Sequence, residues 1–148
     1  MNDAPIIVWD TSVFLAWLQE ETSAVLDAMD DRLVEAGVGQ IRLAASVVLL
    51  AELLEAAVPT DQSLRFEAMI ETEILSLFDV DRRVAATAGR IRSRGRNRMP
   101  KLSLKTADAL HLACAIHAEA VEFQTLDRQL LNLSGSAIVD GLTIRRPG

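Results

Sequence analysis

The sequence has one cysteine, no tyrosine, two histidines, and aromatic residues at only 4% of its 148 positions. A lone cysteine excludes an intrachain disulfide framework. That residue, Cys114, lies in an apolar helical stretch, where a free thiol behaves as a small buried hydrophobe. Two histidines and one cysteine, badly placed, leave zinc too few nitrogen and sulfur ligands. With no tyrosine and no lysine or cysteine evidently in position, covalent nucleophilic catalysis has no candidate. Long hydrophobic runs are missing too. The opening PIIVWDTSVFLAWL is interrupted by Asp10, and no Lys or Arg precedes it, so it reads as neither a secretory signal nor a membrane span. Together these absences lead to the expectation of a cytoplasmic protein with no membrane contact. No repeat, low-complexity tract or long linker divides the chain, and its length suits one domain over residues 1–148.

What is present is apolar aliphatic bulk and an uneven charge distribution. Half the residues are hydrophobic, and the mean hydropathy is +0.21. A chain of this length buries roughly 68–70% of its unfolded surface, so it needs no covalent staples. Some of the apolar surplus is expected to be covered by a partner. The net charge of −6 argues superficially against a polyanionic ligand. However, residues 82–105 hold nine of the fifteen basic residues and no acidic one. Residues 19–35 are the reverse, with Glu20, Glu21, Asp27, Asp30, Asp31 and Glu35 against Arg32 alone. The molecule is therefore expected to have one basic and one acidic flank.

Short apolar runs at 5–9, 41–45, 74–78 and 121–124 read as buried strands. Helical spacing or composition marks 12–18, 23–36, 47–58, 63–73, a stretch from Asp81, and 104–118. Gly37 and Gly39 end the second of these, Ser46 caps the third, and Pro59 stops it. Along the Asp81 helix, Val84, Ala85, Ala88 and Ile91 share one face. SRGRNRMPKLS (93–103) reads as an arginine-rich loop. A turn and short helix follow 121–124, and Asp140-Gly141 reads as a turn with extended flanks. Strands alternating with helices define an α/β fold with a mainly parallel sheet, in which ligands bind at the carboxyl ends of strands.

That rule singles out four acids. Asp10 follows the first strand and Asp127 follows VEFQ, although each also suits a helix N-cap. Asp108 opens the TADALHLACAIHA helix, where the helix dipole alone favours an acid. Glu52 sits in VVLLAELLEAA, a helix apolar enough to be buried, so its carboxylate needs a partner. The alternatives for Glu52 are a buried ion pair or a solvent-facing stripe shared with Glu55. His111, three residues after Asp108, reads as a hydrogen-bonded surface or core histidine, and His117 as solvent-facing. Four carboxylates brought together repel one another and some would protonate unless a cation joins them. Mg2+ or Mn2+ answers that need, because hard cations prefer oxygen ligands and activate water for in-line phosphoryl displacement.

The chain resembles PIN domains, and among them the VapC-type toxins of VapBC toxin–antitoxin pairs. The resemblance rests on VWDTSVFLA, SVVLLAELLEA, KTADALHLACA and FQTLD, in that order and at suitable distances, and it covers nearly the whole chain. It implies a three-layer α/β/α sandwich. It implies that Asp10, Glu52, Asp108 and Asp127 hold Mg2+ or Mn2+ and carry RNA phosphodiester hydrolysis, with Thr11, Ser12 and Thr125 supporting them. It further implies a homodimer, a small antitoxin covering the site, and structured substrates such as transfer or ribosomal RNA. Arg92, Arg94, Arg96, Arg98, Lys101 and Lys105 lead directly to Asp108 and are the candidates for holding RNA phosphates. The few aromatics argue against base stacking as the main readout. Two other readings stay open: a PIN-like nuclease acting on DNA or in housekeeping RNA metabolism, and a non-catalytic binding module whose acids are structural.

Overall fold

The computed structural model describes residues 3–19 and 24–148. Glu20 and Glu21 of the acidic segment, and residue 23 at the start of the second expected helix, lie outside the described residues. The order is β1 (Ile6–Trp9), α1 (Thr11–Leu18), α2 (Ala24–Gly37), β2 (Arg42–Ser46), α3 (Val48–Glu55) and α4 (Thr60–Glu71). Then come β3 (Leu75–Phe78), α5 (Arg82–Arg96), α6 (Thr106–His117), β4 (Glu122–Gln124), α7 (Arg128–Leu131), a 3-10 turn (Ala137–Val139) and β5 (Ile144–Arg145). The five strands form one sheet in the order β3-β2-β1-β4-β5, and every pairing is parallel. Parallel neighbours require crossover connections, which the helices provide.

The pleat sorts the strand residues into two cores. Ile7, Trp9, Leu43, Ala45 and Leu75 face a layer holding Val13, Phe14, Met29, Leu49, Phe66 and Met69. Val8, Ala44, Phe123 and Ile144 face the opposite layer, packed on Val84, Ala88, Ile91, Leu112, Ala113 and Leu130. Helices on both faces explain why the strands read as continuous apolar runs rather than alternating ones. This is the expected α/β sandwich around a parallel sheet. Phe14 meets Trp9 edge-on at 5.1 Å between ring centroids and Phe66 at 5.9 Å, so these three rings cluster around α1.

Several local expectations are corrected. Ser46 ends β2 rather than capping α3, whose N-cap position is Val47, although Ser46 Oγ accepts from Val48 N–H at 3.1 Å. Helix α3 stops at Glu55 rather than at Pro59, and Ala57 turns to a positive φ of 52°. A residue before proline is pushed out of the helical region, so Val58 could not continue that helix. Only Leu49 of α3 is buried, while Leu50 is 40% and Leu54 83% exposed. The argument that Glu52 sits in a helix buried on all sides therefore fails. Much of that apolar composition is surface, and Leu50 and Leu54 border an open cleft with Leu18, Leu53, Val58 and Phe66. In α5 the buried face is Val84, Thr87, Ala88, Ile91 and Gly95, with Ala85 exposed. That helix also runs on to Arg96, so Arg94 and Arg96 stand on its last turn rather than in a loop. The residues before Asp140 form a 3-10 turn rather than an extended flank, and Asp140 adopts a left-handed conformation (φ 53°). Among the described residues, no helix is long and apolar enough to cross a membrane.

Gly95 explains why α5 extends into a glycine-containing, arginine-rich stretch. Leu102 N–H donates to Gly95 O at 2.9 Å, and a Cβ on Gly95 would meet Leu102 O at 3.0 Å. The missing side chain lets the 98–104 segment lie against α5 and deliver α6 to the sheet. Gly95→Ala is expected to destabilise the fold by about 1 kcal/mol, because backbone must shift. Gly89→Ala, where nothing lies within 4 Å, is expected to stabilise it by about 0.5–1 kcal/mol through helix propensity. Urea denaturation of both variants checks the pair. Equal shifts of the same sign would contradict this reading.

Candidate metal centre

Asp10 stands at the carboxyl end of β1, where its N–H donates to Gln124 O at 3.0 Å. Its side chain is the α1 N-cap, accepting from Thr11 N at 2.9 Å. It also accepts from Ser12 Oγ at 3.0 Å and Thr125 Oγ1 at 2.8 Å. Thr125 is fully buried and takes Asp127 N–H at 3.1 Å, while Ser12 Oγ takes Leu126 N–H at 3.2 Å. Two hydroxyls thus fasten Asp10 to the turn that carries Asp127. Asp127 caps α7 through Gln129 N–H at 2.8 Å. Capping and a place at the strand ends are therefore not rival descriptions of Asp10 and Asp127, because both hold.

Glu52 approaches from α3 on the other side of Thr11. Thr11 Oγ1 donates to Glu52 Oε1 at 2.6 Å, and His111 Nε2 hydrogen-bonds to the same oxygen. Thr11 Oγ1 and His111 Nε2 are themselves 3.1 Å apart. The His111 hydrogen bond is the largest influence on the Glu52 carboxyl, which is held below the usual range. Burial opposes this, while the Thr11 bond and the Lys105 charge add to it. His111 is completely buried, so the surface reading of it is excluded and the core reading holds with an unforeseen partner. Its spacing from Asp108 was visible in the sequence, but Glu52 lies 59 residues away and no local pattern links the two.

Asp108 lies in the first turn of α6. Its carboxyl is pushed up to about 6, first by burial, then by the charges of Asp10 and Asp127, with Glu52 adding to the rise and His111 opposing it. The charges of the other three acids therefore all reach Asp108. The four acids are not drawn in to a common point: among the described residues, no group of three or more His, Cys, Asp or Glu side chains is arranged to hold a metal ion as it stands. The donor chemistry nonetheless fits a hard divalent cation. The candidate ligands are all oxygens, and a cation would relieve both the burial of the Asp108 charge and the repulsion from its neighbours that together raise its carboxyl.

The six basic candidates divide. Arg92 Nε donates to Leu104 O at 2.9 Å and Arg98 Nε to Pro100 O at 3.2 Å. Arg94 donates to Ala137 O at 3.2 Å and pairs with Asp140 at 2.9 Å, tying α5 to the 3-10 turn. These three arginines hold the backbone between α5 and α6, or the turn beside it. Arg96, Lys101 and Lys105 are exposed. Lys105 precedes Asp108 by three residues, and its charge already reaches Glu52.

Residues 7–135 match the model of the PIN domain family, and the chain belongs to that family. No curated protein matches it significantly. Among solved structures it is similar to a chain of VapBC2 from Rickettsia felis bound to a DNA fragment from its promoter. That match has a TM-score of 0.69 and 16% identity, covering 95% of this chain and 98% of the other. It is also similar to a chain of DNA-bound VapBC from Salmonella typhimurium, with a TM-score of 0.67 and 18% identity over 97% and 99% of the two chains. A chain of FitAB bound to IR36 DNA aligns with a TM-score of 0.60 and 21% identity over 95% and 94%. At these identities the likeness is one of fold.

Proposed function

We propose that this protein is a Mg2+- or Mn2+-dependent endoribonuclease and the toxin of a toxin–antitoxin pair, with residues 1–148 acting as one nuclease domain. The observation that carries the reading is that, in a PIN fold, the half-buried Asp108 is pushed up to about 6, first by burial and then by the charges of Asp10 and Asp127, with Glu52 adding to the rise. Asp10, Asp108, Asp127 and Glu52 would hold the cation. When bound, Mg2+ or Mn2+ supplies charge neutralisation, water activation and stabilisation of the leaving oxygen. Ser12 and Thr125 orient Asp10, and Thr11 orients Glu52. One of the carboxylates accepts the proton of the attacking water. Lys105, Arg96 and Lys101 hold the RNA phosphates, which is how a chain of net charge −6 keeps a polyanion.

The toxin role is supported by the company the fold keeps, since the similar structures are VapBC and FitAB complexes. A small antitoxin and a second copy of the chain are the proposed partners, and the exposed leucines of α3 offer apolar surface for such contacts. Incubating the purified protein with structured RNA and with DNA of the same sequence tests the activity. Cleavage of RNA with Mg2+ or Mn2+, stopped by EDTA, is expected. Metal-independent cleavage, or cleavage of DNA alone, would refute the reading.

Thr125→Val isolates the support of Asp10. The variant keeps the β-branched shape but removes the hydroxyl that serves both Asp10 and Asp127 N–H. Cleavage is expected to fall about 10–100-fold, as when the outer partners of metal ligands are removed. Stability is expected to fall by about 1–3 kcal/mol from the buried groups left unpaired. Parallel cleavage assays and urea denaturation measure the two effects. Wild-type activity would show that Thr125 has no part in orienting Asp10.

A further inference from the structure

We infer that His111 is a positioning residue for Glu52: together with Thr11 it clamps Oε1 on the protein side and leaves Oε2 as the oxygen available to a cation. The inference rests on the metal-site reading above. His111 is completely buried, among Leu112, Ala113, Cys114 and Ala115, which are buried as well. A polar ring in such a place costs free energy unless it is hydrogen-bonded, and a leucine would fill the position without that cost. Its Nδ1 is buried and has no hydrogen-bond partner among the described residues. Every hydrogen bond the ring makes is therefore directed through Nε2 to Glu52 Oε1 and Thr11 Oγ1.

The donor pattern is fixed by the acceptor. An ionised carboxylate only accepts, so Nε2 carries a proton and donates a hydrogen bond through it to Glu52. Thr11 Oγ1 donates to the same oxygen at 2.6 Å. Oε1 thus receives two hydrogen bonds from groups on two different elements, α1 and α6, while Glu52 itself comes from α3. Glu52 needs this restraint. Unlike Asp10 it does not cap a helix, and its own helix is mostly exposed. A carboxylate on a surface helix has many rotamers, and two bonds from buried partners select one of them.

Two variants and two readouts test the inference. His111→Leu removes the donor and fills the core, whereas His111→Gln keeps one N–H donor within the reach of Nε2. Mn2+ affinity is measured calorimetrically on the purified full chain, and thermal unfolding confirms that both variants fold. His111→Leu is expected to bind Mn2+ about 10–100-fold more weakly than wild type, and His111→Gln to recover most of that loss. Equal affinities in wild type and the Leu variant would overturn the inference while leaving the metal site standing. So would equal losses in both variants. Long-range 1H–15N spectra of the metal-free protein provide the second readout, with an Nε2-protonated ring whose Nε2–H signal moves in Glu52→Gln. That result in a wild type that binds no Mn2+ would refute the metal site and still support the clamp. An Nε2 without a proton, or a signal indifferent to Glu52→Gln, would overturn it.

Discussion

Asp10→Asn is expected to abolish RNA cleavage while leaving the chain folded. The loss should exceed about 100-fold, beyond what removal of an outer partner costs, because Asp10 is proposed to touch the cation itself. The fold should survive, since the amide oxygen can still accept from Thr11 N–H and the two hydroxyls can rotate to suit an amide. Asparagine caps a helix about as well as aspartate, so the cap itself is kept, and the substitution also removes one of the charges that oppose ionisation of Asp108. A cleavage assay with circular dichroism separates the two effects. Full activity in a folded Asp10→Asn protein would end the assignment of Asp10, and a collapsed fold would show that its role is structural.

Asp108→Asn should do something less usual, raising stability as it removes activity. The carboxyl titrates at about 6 in the folded protein against an ordinary value of 3.8, so between those values the folded state binds more protons than the unfolded one. By linkage, this group makes stability fall as pH rises from about 4 to about 6, and its full penalty is present at higher pH. Asparagine removes the penalty. In the metal-free protein at pH 7.5 the variant is expected to be more stable by on the order of 1–2 kcal/mol, allowing for solvent screening. That is a rise of roughly 3–8 °C in Tm for a chain of this size. At pH 4 the two proteins should melt together. Saturating Mn2+ should reverse the order at pH 7.5, because only the wild type keeps the full set of proposed ligands. Thermal melts at the two pH values, with and without Mn2+, test this. A variant less stable than wild type at pH 7.5 without metal would contradict the electrostatic account of the site.

Much of this was legible in the sequence, and the parts that were not have physical reasons. The strands were legible because burial on both faces leaves short uninterrupted runs such as IIVW, whose length and β-branched content, rather than periodicity, favour a strand over a helix. The end of α3 was not legible from Pro59 itself, because the restriction a proline imposes on the preceding residue acts earlier. The length of α5 was hidden by Gly95, which looks like a breaker but makes room for Leu102 O. The position of Asp10 at the end of a strand could be read locally, and so could that of Asp127. The need of Glu52 for a partner was inferred from a burial that α3 does not have, yet a partner exists. It is His111, on a helix far along the chain, and a contact of that kind leaves no periodic trace. The basic segment was read as one patch, but Arg92, Arg94 and Arg98 bond to backbone, which composition cannot reveal.

The central claim is that four carboxylates contributed by separate elements form one cation site. It is tested most directly by anomalous diffraction from crystals of the purified chain grown with Mn2+. An anomalous peak is expected within about 2.0–2.3 Å of carboxylate oxygens from Asp10 and at least one of Asp108, Asp127 and Glu52. Crystals that diffract well in saturating Mn2+ and show no peak among these residues, or a peak only elsewhere, would contradict it.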